Sequence, residues 1–93
     1  MKNPKLSFRV IGTSGPLSLS WFPGPMGDAV EAENEIGVGF FSPNGELLSV
    51  EFDDVEEKED HQFLQFQEYR VEIWVKSGKV KHVLEKKKSK RAA

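Results

Sequence analysis

Apolar and polar residues alternate along several short stretches of the chain, and such alternation is typical of a β-strand with one buried face. The first two stretches are residues 6–10 and 17–21, and residues 12–16 between them are rich in glycine, serine and proline. These residue types favour turns because they allow or preset the required φ angles. The pattern therefore predicts a first hairpin.

A second hairpin is predicted by the turn sequence Ser-Pro-Asn-Gly at residues 42–45, which separates the apolar stretches 36–41 and 46–52. The proline presets φ for the second turn position, and the glycine adopts the left-handed conformation that closes the turn. Gly37 and Gly39 alternate with apolar residues in the first of these strands. They predict either a bulge or a place where a large ring packs directly on the backbone.

A third hairpin is predicted near the end of the chain. Residues 69–75 alternate and are rich in β-branched and aromatic side chains, which favours a strand. Residues 76–79 form the predicted turn, and residues 80–84 form the returning strand. Trp74 lies in the phase of the charged residues of its strand, so we expect it to be partly exposed.

Three segments have a weaker pattern. Residues 22–28 contain two prolines and two glycines, which predicts an irregular loop. Residues 29–33 fit either a short edge strand or one helical turn. The acidic residues 53–60 fit either the capped start of a helix or a loop. We favour a loop with at most one helical turn, followed by a strand in which Phe63 shares the phase of the apolar residues in 69–75.

Consecutive hairpins are most simply arranged as neighbours, which predicts a mostly β fold. We expect an antiparallel meander of about six strands in three hairpins, as an open sheet or a small barrel, with at most one short helical turn in the acidic segment. At 93 residues the chain has the size of one small domain, to which we assign residues 1–85. Residues 86–93 carry like charges without an apolar pattern, which predicts a disordered basic tail.

The chain contains no cysteine, which excludes disulfides and thiolate metal ligands. A small domain without disulfides fits a reducing compartment. No apolar run of the kind found in signal peptides follows the first residues, and no stretch approaches the ~20 apolar residues of a membrane span. We therefore expect a cytoplasmic protein.

Motifs for catalysis and for metal or nucleotide binding are missing from the sequence. Only His61 and His82 are available as imidazole ligands, and no calcium-loop pattern, Gly-x-Ser-x-Gly elbow or phosphate-binding loop is found. We expect no catalytic residues, no metal site and no cofactor, and hence a protein that is not an enzyme.

Charge is distributed unevenly along the chain. Residues 46–69 contain nine acidic side chains and one basic one, whereas residues 70–93 contain nine basic and two acidic ones. An acidic segment attracts a basic partner surface and raises the association rate. The candidate acidic contact residues are Glu51, Asp53, Asp54, Glu56, Glu57, Glu59 and Asp60.

These features predict a non-enzymatic module that binds another protein, with homodimerisation as a further option for so small a domain. Exposed aromatic residues dominate the energy of such interfaces, and the candidates are Trp21, Phe22 and Trp74. The alternative is a β-domain that binds nucleic acid through its basic tail, with Trp74 as a stacking surface. The tail residues concerned are Lys86, Lys87, Lys88, Lys90 and Arg91.

Residues 17–55 resemble a family of short, uncharacterised bacterial β-domains, a domain family of unknown function. The likeness lies in an apolar strand, an acidic link and two strands around an Asn-Gly turn: Leu17-Ser18-Leu19-Ser20-Trp21, Val30-Glu31-Ala32-Glu33-Asn34-Glu35, Ile36-Gly37-Val38-Gly39-Phe40-Phe41 and Asn44-Gly45-Glu46-Leu47-Leu48-Ser49-Val50-Glu51-Phe52-Asp53. The loop at 23–27 and the final hairpin lie outside the pattern. Members look like small partner-binding proteins, some encoded beside predicted toxins. The resemblance therefore implies an antitoxin-like or regulatory role.

Overall fold

The fold is described by a computed structural model covering residues 3–24 and 27–87, which contain eight strands and no helix. The strands are β1 (Lys5–Phe8), β2 (Ser14–Ser20), β3 (Val30–Glu33), β4 (Gly37–Phe41), β5 (Leu47–Glu56), β6 (Glu59–Gln65), β7 (Tyr69–Lys76) and β8 (Lys79–Lys86). They form a five-stranded sheet in the order β1-β2-β5-β4-β3 and a three-stranded sheet in the order β6-β7-β8. All pairs are antiparallel, which confirms the predicted fold class.

The three predicted hairpins are present as β1–β2, β4–β5 and β7–β8. The strand order departs from a simple meander because β2 pairs with β5, which lies far along the chain. This pairing sets Leu17 opposite Phe52 and Leu19 opposite Val50. All four side chains are fully buried, so burial of apolar surface favours the long-range pairing over a strictly sequential one.

Residues 53–56 and 59–60 of the acidic segment are extended and belong to two strands, so the predicted loop with a helical turn is wrong. Strand β5 continues through Glu56, and a tight turn leads directly into β6. The register between β2 and β5 shifts at Asp53 and Asp54, which form a β-bulge. The bulge returns Val55 to the core, where it is fully buried, and this burial outweighs the low β-propensity of the surrounding acidic residues.

Two further segments are settled by the structure. Of the alternatives for residues 29–33, the edge strand is the one formed. The predicted phase of Phe63 is wrong, because Leu64 faces the core opposite Val71 while Phe63 is exposed. The turn after β6 sets this register through a hydrogen bond of 2.7 Å from the N–H of Phe66 to the carbonyl of Tyr69.

The two sheets pack face to face around one core. Its buried apolar residues are Leu17, Leu19, Leu47, Val50, Phe52 and Val55 from the larger sheet and Leu64, Tyr69, Val71, Ile73 and Val75 from the smaller one. Three strands cannot cover five, so the outermost strands of the larger sheet overhang. Leu6 on β1 is therefore 41% exposed and Val30 on β3 is 56% exposed.

Of the two alternatives predicted for the glycines of β4, the packing of a large ring on the backbone is found at Gly39, whereas Gly37 lies against the backbone of β5. The ring of Phe66 packs on Gly39, where an added Cβ would lie 2.5 Å from the ring's Cζ. At Gly37 an added Cβ would clash with the backbone carbonyl of Glu51 in the neighbouring strand. An added methyl group would therefore force the Phe66 ring to move at residue 39 and the neighbouring backbone to move at residue 37.

Two of the predicted tail residues belong to or directly follow the smaller sheet. Lys86 ends β8, and its Nζ lies 5.5 Å from the centroid of the Tyr69 ring. The N–H of Lys87 donates to the carbonyl of Glu68 at 2.7 Å. The remaining candidates of the tail lie outside the described residues: Lys88, Lys90 and Arg91.

Candidate functional site

The charge asymmetry of the sequence becomes a difference between the two sheets. The described residues up to Lys58, which contain the larger sheet, carry ten acidic and three basic side chains. Residues 59–87, which form the smaller sheet, carry five acidic and six basic side chains. The molecule therefore presents two chemically different surfaces, and a candidate site lies on each.

The first site is an open groove of about 620 Å³ beneath the overhanging strand β3, termed the β3 groove. Its walls are β3, the turn at residues 42–45 and the turn at residues 65–69. Its floor is aromatic, because the rings of Phe41 and Phe66 meet edge to face with centroids 5.1 Å apart. The ring of Tyr69 lies 6.1 Å from that of Phe41. The groove thus combines an apolar floor with a strand along its side.

Strand β3 has an open hydrogen-bonding edge. The N–H of Asn34 donates to the carbonyl of Gly37 at 2.9 Å, which fixes the direction of the backbone groups at the end of β3. Because these groups alternate along an antiparallel strand, those of Glu31 and Glu33 point away from β4. Within residues 3–24 and 27–87, β3 pairs only with β4, so this edge is free for a further strand.

The predicted acidic contact residues are distributed along β5 and the turn into β6. Glu51 is half-buried on the outer face of the larger sheet, and Asp53 and Asp54 are exposed at the bulge. Three exposed residues surround the turn between β5 and β6: Glu56, Glu57 and Glu59. Asp60 is occupied by internal hydrogen bonds. The segment therefore gives the larger sheet its negative field without forming one compact patch.

Asp60 stabilises the connection between the two sheets. One carboxylate oxygen accepts hydrogen bonds from the N–H of Glu56 at 2.8 Å and the Gln62 amide at 3.0 Å, and the other accepts from the N–H of His61 at 2.7 Å. Partial burial raises the pKa of Asp60, but these hydrogen bonds and the charge of His61 lower it more, so that it lies below its ordinary value of 3.8.

Replacing Asp60 by alanine is expected to lower the free energy of unfolding by about 1 kcal/mol at neutral pH, because the side chain is partly exposed. A lowered carboxyl pKa contributes stability above the pKa of the unfolded state and loses it as the pH falls through that of the folded state. The difference in the free energy of unfolding between Asp60→Ala and the original protein should therefore shrink once the pH falls below 3.8, the ordinary pKa of an aspartate side chain.

Urea denaturation at neutral and acidic pH measures this difference. The exposed Asp28 is the matched control, since Asp28→Ala should change stability little at either pH. A penalty for Asp60→Ala that is equal at both pH values would contradict the assignment.

The second site is the outer face of the smaller sheet, termed the Trp74 face. Its side chains form four rows, each made of register partners from β6, β7 and β8 in that order. The rows are Glu59, Lys76 and Lys79; His61, Trp74 and Lys81; Phe63, Glu72 and Val83; and Gln65, Arg70 and Glu85. Trp74 is 38% exposed, which confirms the prediction from its phase. A large ring thus stands near the middle of an uncovered sheet face.

Trp74 is held in place from one side. The His61 ring stacks on the indole with centroids 5.0 Å apart and planes inclined by 13°. Nε2 of His61 contacts the carboxylate of Glu72. The guanidinium of Arg70 lies 3.6 Å from the other oxygen of Glu72 and 4.0 Å from the centroid of the Phe63 ring. These contacts cover one face of the indole, and 38% of Trp74 remains exposed, so the face away from His61 is the open one.

An open cavity of about 600 Å³ borders Trp74 where β7 turns into β8. Three basic side chains, Lys76, Lys79 and Lys81, line it together with one carboxylate, Glu59. Lys81 is the register partner of Trp74 on the side opposite His61. The open face of the indole therefore meets a surface with net positive charge.

The other two aromatic candidates lie elsewhere. Trp21 packs against the core, and its ring meets His82 at an angle of 66° with centroids 6.3 Å apart. Phe22 follows it and is 39% exposed. Trp21 therefore contributes mainly to packing between the sheets, while Phe22 remains at the surface.

Sequence reasoning missed His61 on the Trp74 face and Val30 and Phe66 in the β3 groove. His61 acts through its stack on Trp74 of β7, and Phe66 acts through its contacts with Phe41 and Gly39 of the distant strand β4. Val30 lines the groove because β3 overhangs the smaller sheet. The sequence holds a signal for His61 alone among the three. The alternation along β6 places it among the exposed residues, opposite Trp74.

Neither site has the composition of a metal centre. Among residues 3–24 and 27–87, no group of three or more histidine or acidic side chains is placed to hold a metal ion. The same residues contain no helix of the length and apolar character needed to cross a membrane. Comparison of the chain with protein-family models, curated proteins and solved structures finds no match.

Proposed function

We propose that the chain is a non-enzymatic protein-interaction module that binds an extended basic segment of a partner protein in the β3 groove. The observation that carries the proposal is the free edge of β3 above an aromatic floor. An extended segment added to such an edge gains backbone hydrogen bonds, and its alternate side chains enter the groove.

The two faces of β3 define the sequence that fits. Val30 and Ala32 line the groove, so the partner residues beside them should be apolar. Glu31 is exposed on the other face of β3, and Glu33 is exposed at the end of β3, where it borders the groove, so the partner residues beside them should be basic. The partner segment is therefore a strand in which apolar and basic residues alternate.

Electrostatics favours the same class of partner. The excess of acidic side chains on the larger sheet attracts a basic segment from a distance and raises its association rate. The same charges repel a second β3 edge, because like charges on adjacent strands are destabilising. The acidic residues at the turn between β5 and β6 contribute to this field.

The proposal includes an antitoxin-like or regulatory role. A partner whose basic segment is its working surface would be inhibited while that segment is covered. We assign the module to the cytoplasm, because a domain without cysteine is suited to a reducing compartment.

The test uses a synthetic peptide in which lysine and valine alternate. Its length of about eight residues is typical of a strand. Binding of the labelled peptide is followed by fluorescence anisotropy. Glu31→Pro removes an outward N–H without disturbing the pairing of β3 with β4, and it should weaken binding about fivefold more than Glu31→Ala does.

Glu31→Ala is the matched control because both variants lose the same charge and only one loses the backbone donor. It should weaken binding about twofold by itself. A peptide of the same composition with its lysines and valines in separate blocks should bind poorly. Equal affinities for the alternating and block peptides, or equal effects of the two substitutions, would refute strand addition at β3.

A further inference from the structure

We infer that the Trp74 face binds single-stranded nucleic acid, with one base stacked on the open face of Trp74 and neighbouring phosphates on the lysines beside it. This inference is independent of the β3 groove. Tyr69 at the start of β7 lines the groove, whereas Lys76 at its end lines the cavity beside Trp74.

The stacking surface is prepared before the ligand arrives. His61 covers one face of the indole, Glu72 contacts Nε2 of His61, and Arg70 contacts Glu72 in turn. A ring fixed in this way loses little conformational freedom when a base stacks on its other face. Stacking on an aromatic side chain is tolerant of sequence, because every base has a π-face.

The lysines are placed to meet the strand that carries the stacked base. Lys81 lies next to Trp74, and Lys79 shares its face of β8 two residues away. Lys76 lies beside Lys79, and Glu59 is the one acidic side chain of the cavity. Phosphates of a strand leaving Trp74 therefore meet three cations in an open cavity of about 600 Å³.

The geometry favours a single strand over the other polyanions. In a duplex the bases stack on one another, so their faces are closed to Trp74. An acidic peptide pairs with the lysines but has no flat ring to place on the indole. A single strand uses both parts of the site, the exposed ring and the lysines around it.

The test titrates the full chain at low ionic strength with an oligothymidylate of about ten nucleotides, within the usual range of site sizes. Binding is followed by quenching of tryptophan fluorescence and by anisotropy of a labelled oligonucleotide. We expect Trp74→Leu to weaken the affinity about tenfold, in line with the loss of one stacked base. Trp74→Phe should retain most of the affinity and lose the quenching.

The contribution of the lysines is read from the salt dependence. Replacing Lys79 and Lys81 by glutamine should reduce the steepness with which the logarithm of the association constant falls against the logarithm of the salt concentration. The expected reduction in slope is about 1.4, the value for two phosphate contacts on a single strand. Replacing Lys5 on β1 and Arg9 directly after it by glutamine also removes two positive charges, but away from the Trp74 face, and should leave the slope unchanged.

Three outcomes would overturn the inference. The first is a lack of oligothymidylate binding at low ionic strength. The second is competition by polyglutamate as strong as that by oligothymidylate, with no effect of Trp74→Leu, which would mean that the face recognises charge alone and suits an acidic protein. The third is loss of binding only when Lys88, Lys90 and Arg91 are replaced by glutamine, which would place the contact in the basic tail.

Discussion

Replacing Phe52 by alanine is expected to lower the free energy of unfolding by about 3–5 kcal/mol. Phe52 is the largest of the fully buried side chains. It lies in the central strand of the larger sheet, between Leu17 on β2 and Gly37 on β4. A domain of this size has a total stability on the order of 5–15 kcal/mol, so the substitution removes a large part of it.

Urea denaturation followed by tryptophan fluorescence measures the effect. Phe63→Ala is the matched control, because Phe63 is 41% exposed on the outer face of the smaller sheet. Its loss should cost less than about 1 kcal/mol. If the two substitutions proved equally destabilising, the two sheets would not share the core that the burial of Phe52 indicates.

The three hairpins could be predicted because their signals are local. A turn such as Ser-Pro-Asn-Gly fixes the pairing of the strands on either side of it, and alternation then assigns their faces. The pairing of β2 with β5 carries no such signal, because nothing in either strand indicates its partner across the intervening hairpin. The division into two sheets follows from this pairing, so the local sequence pattern does not predict it either.

The acidic segment shows how burial overrides local propensity. Residues 53–60 have the composition of a loop, yet β5 continues through the first four of them because Val55 is fully buried. The hydrogen bonds of Asp60 then stabilise the turn into β6. The wrong phase of Phe63 has a similar origin, since the turn after β6 sets the register and brings Leu64 to the core.

The Trp74 face was predictable in part. Alternation along β7 places Trp74 among charged residues, and the structure adds the register that brings His61 and Lys81 to its two sides. The β3 groove was not predictable, because it arises from the mismatch between five strands and three. Only the assembled fold shows that β3 extends beyond its cover and leaves Val30 exposed.

Replacing Gly39 by alanine is expected to lower the free energy of unfolding by about 1–3 kcal/mol, because the added methyl group overpacks the contact with Phe66. A Cβ on Gly39 would lie 2.5 Å from Cζ of Phe66, which is too close for two carbon atoms. The ring must therefore move, and the floor of the β3 groove moves with it. In a Phe66→Ala background the same substitution should lower the free energy of unfolding only a little. Urea denaturation of the two single variants and the double variant measures the difference as a coupling energy.

Gly37→Ala provides the control for this cycle. Its Cβ would clash with the backbone carbonyl of Glu51, which a shorter side chain at residue 66 does not relieve. The cost of Gly37→Ala should therefore be the same in both backgrounds, whereas that of Gly39→Ala should fall. If Gly39→Ala also kept its full cost without the Phe66 ring, then that ring would not rest on β4. The aromatic floor assigned to the β3 groove would have to be abandoned, because it depends on the Phe66 ring lying between Gly39 and Phe41.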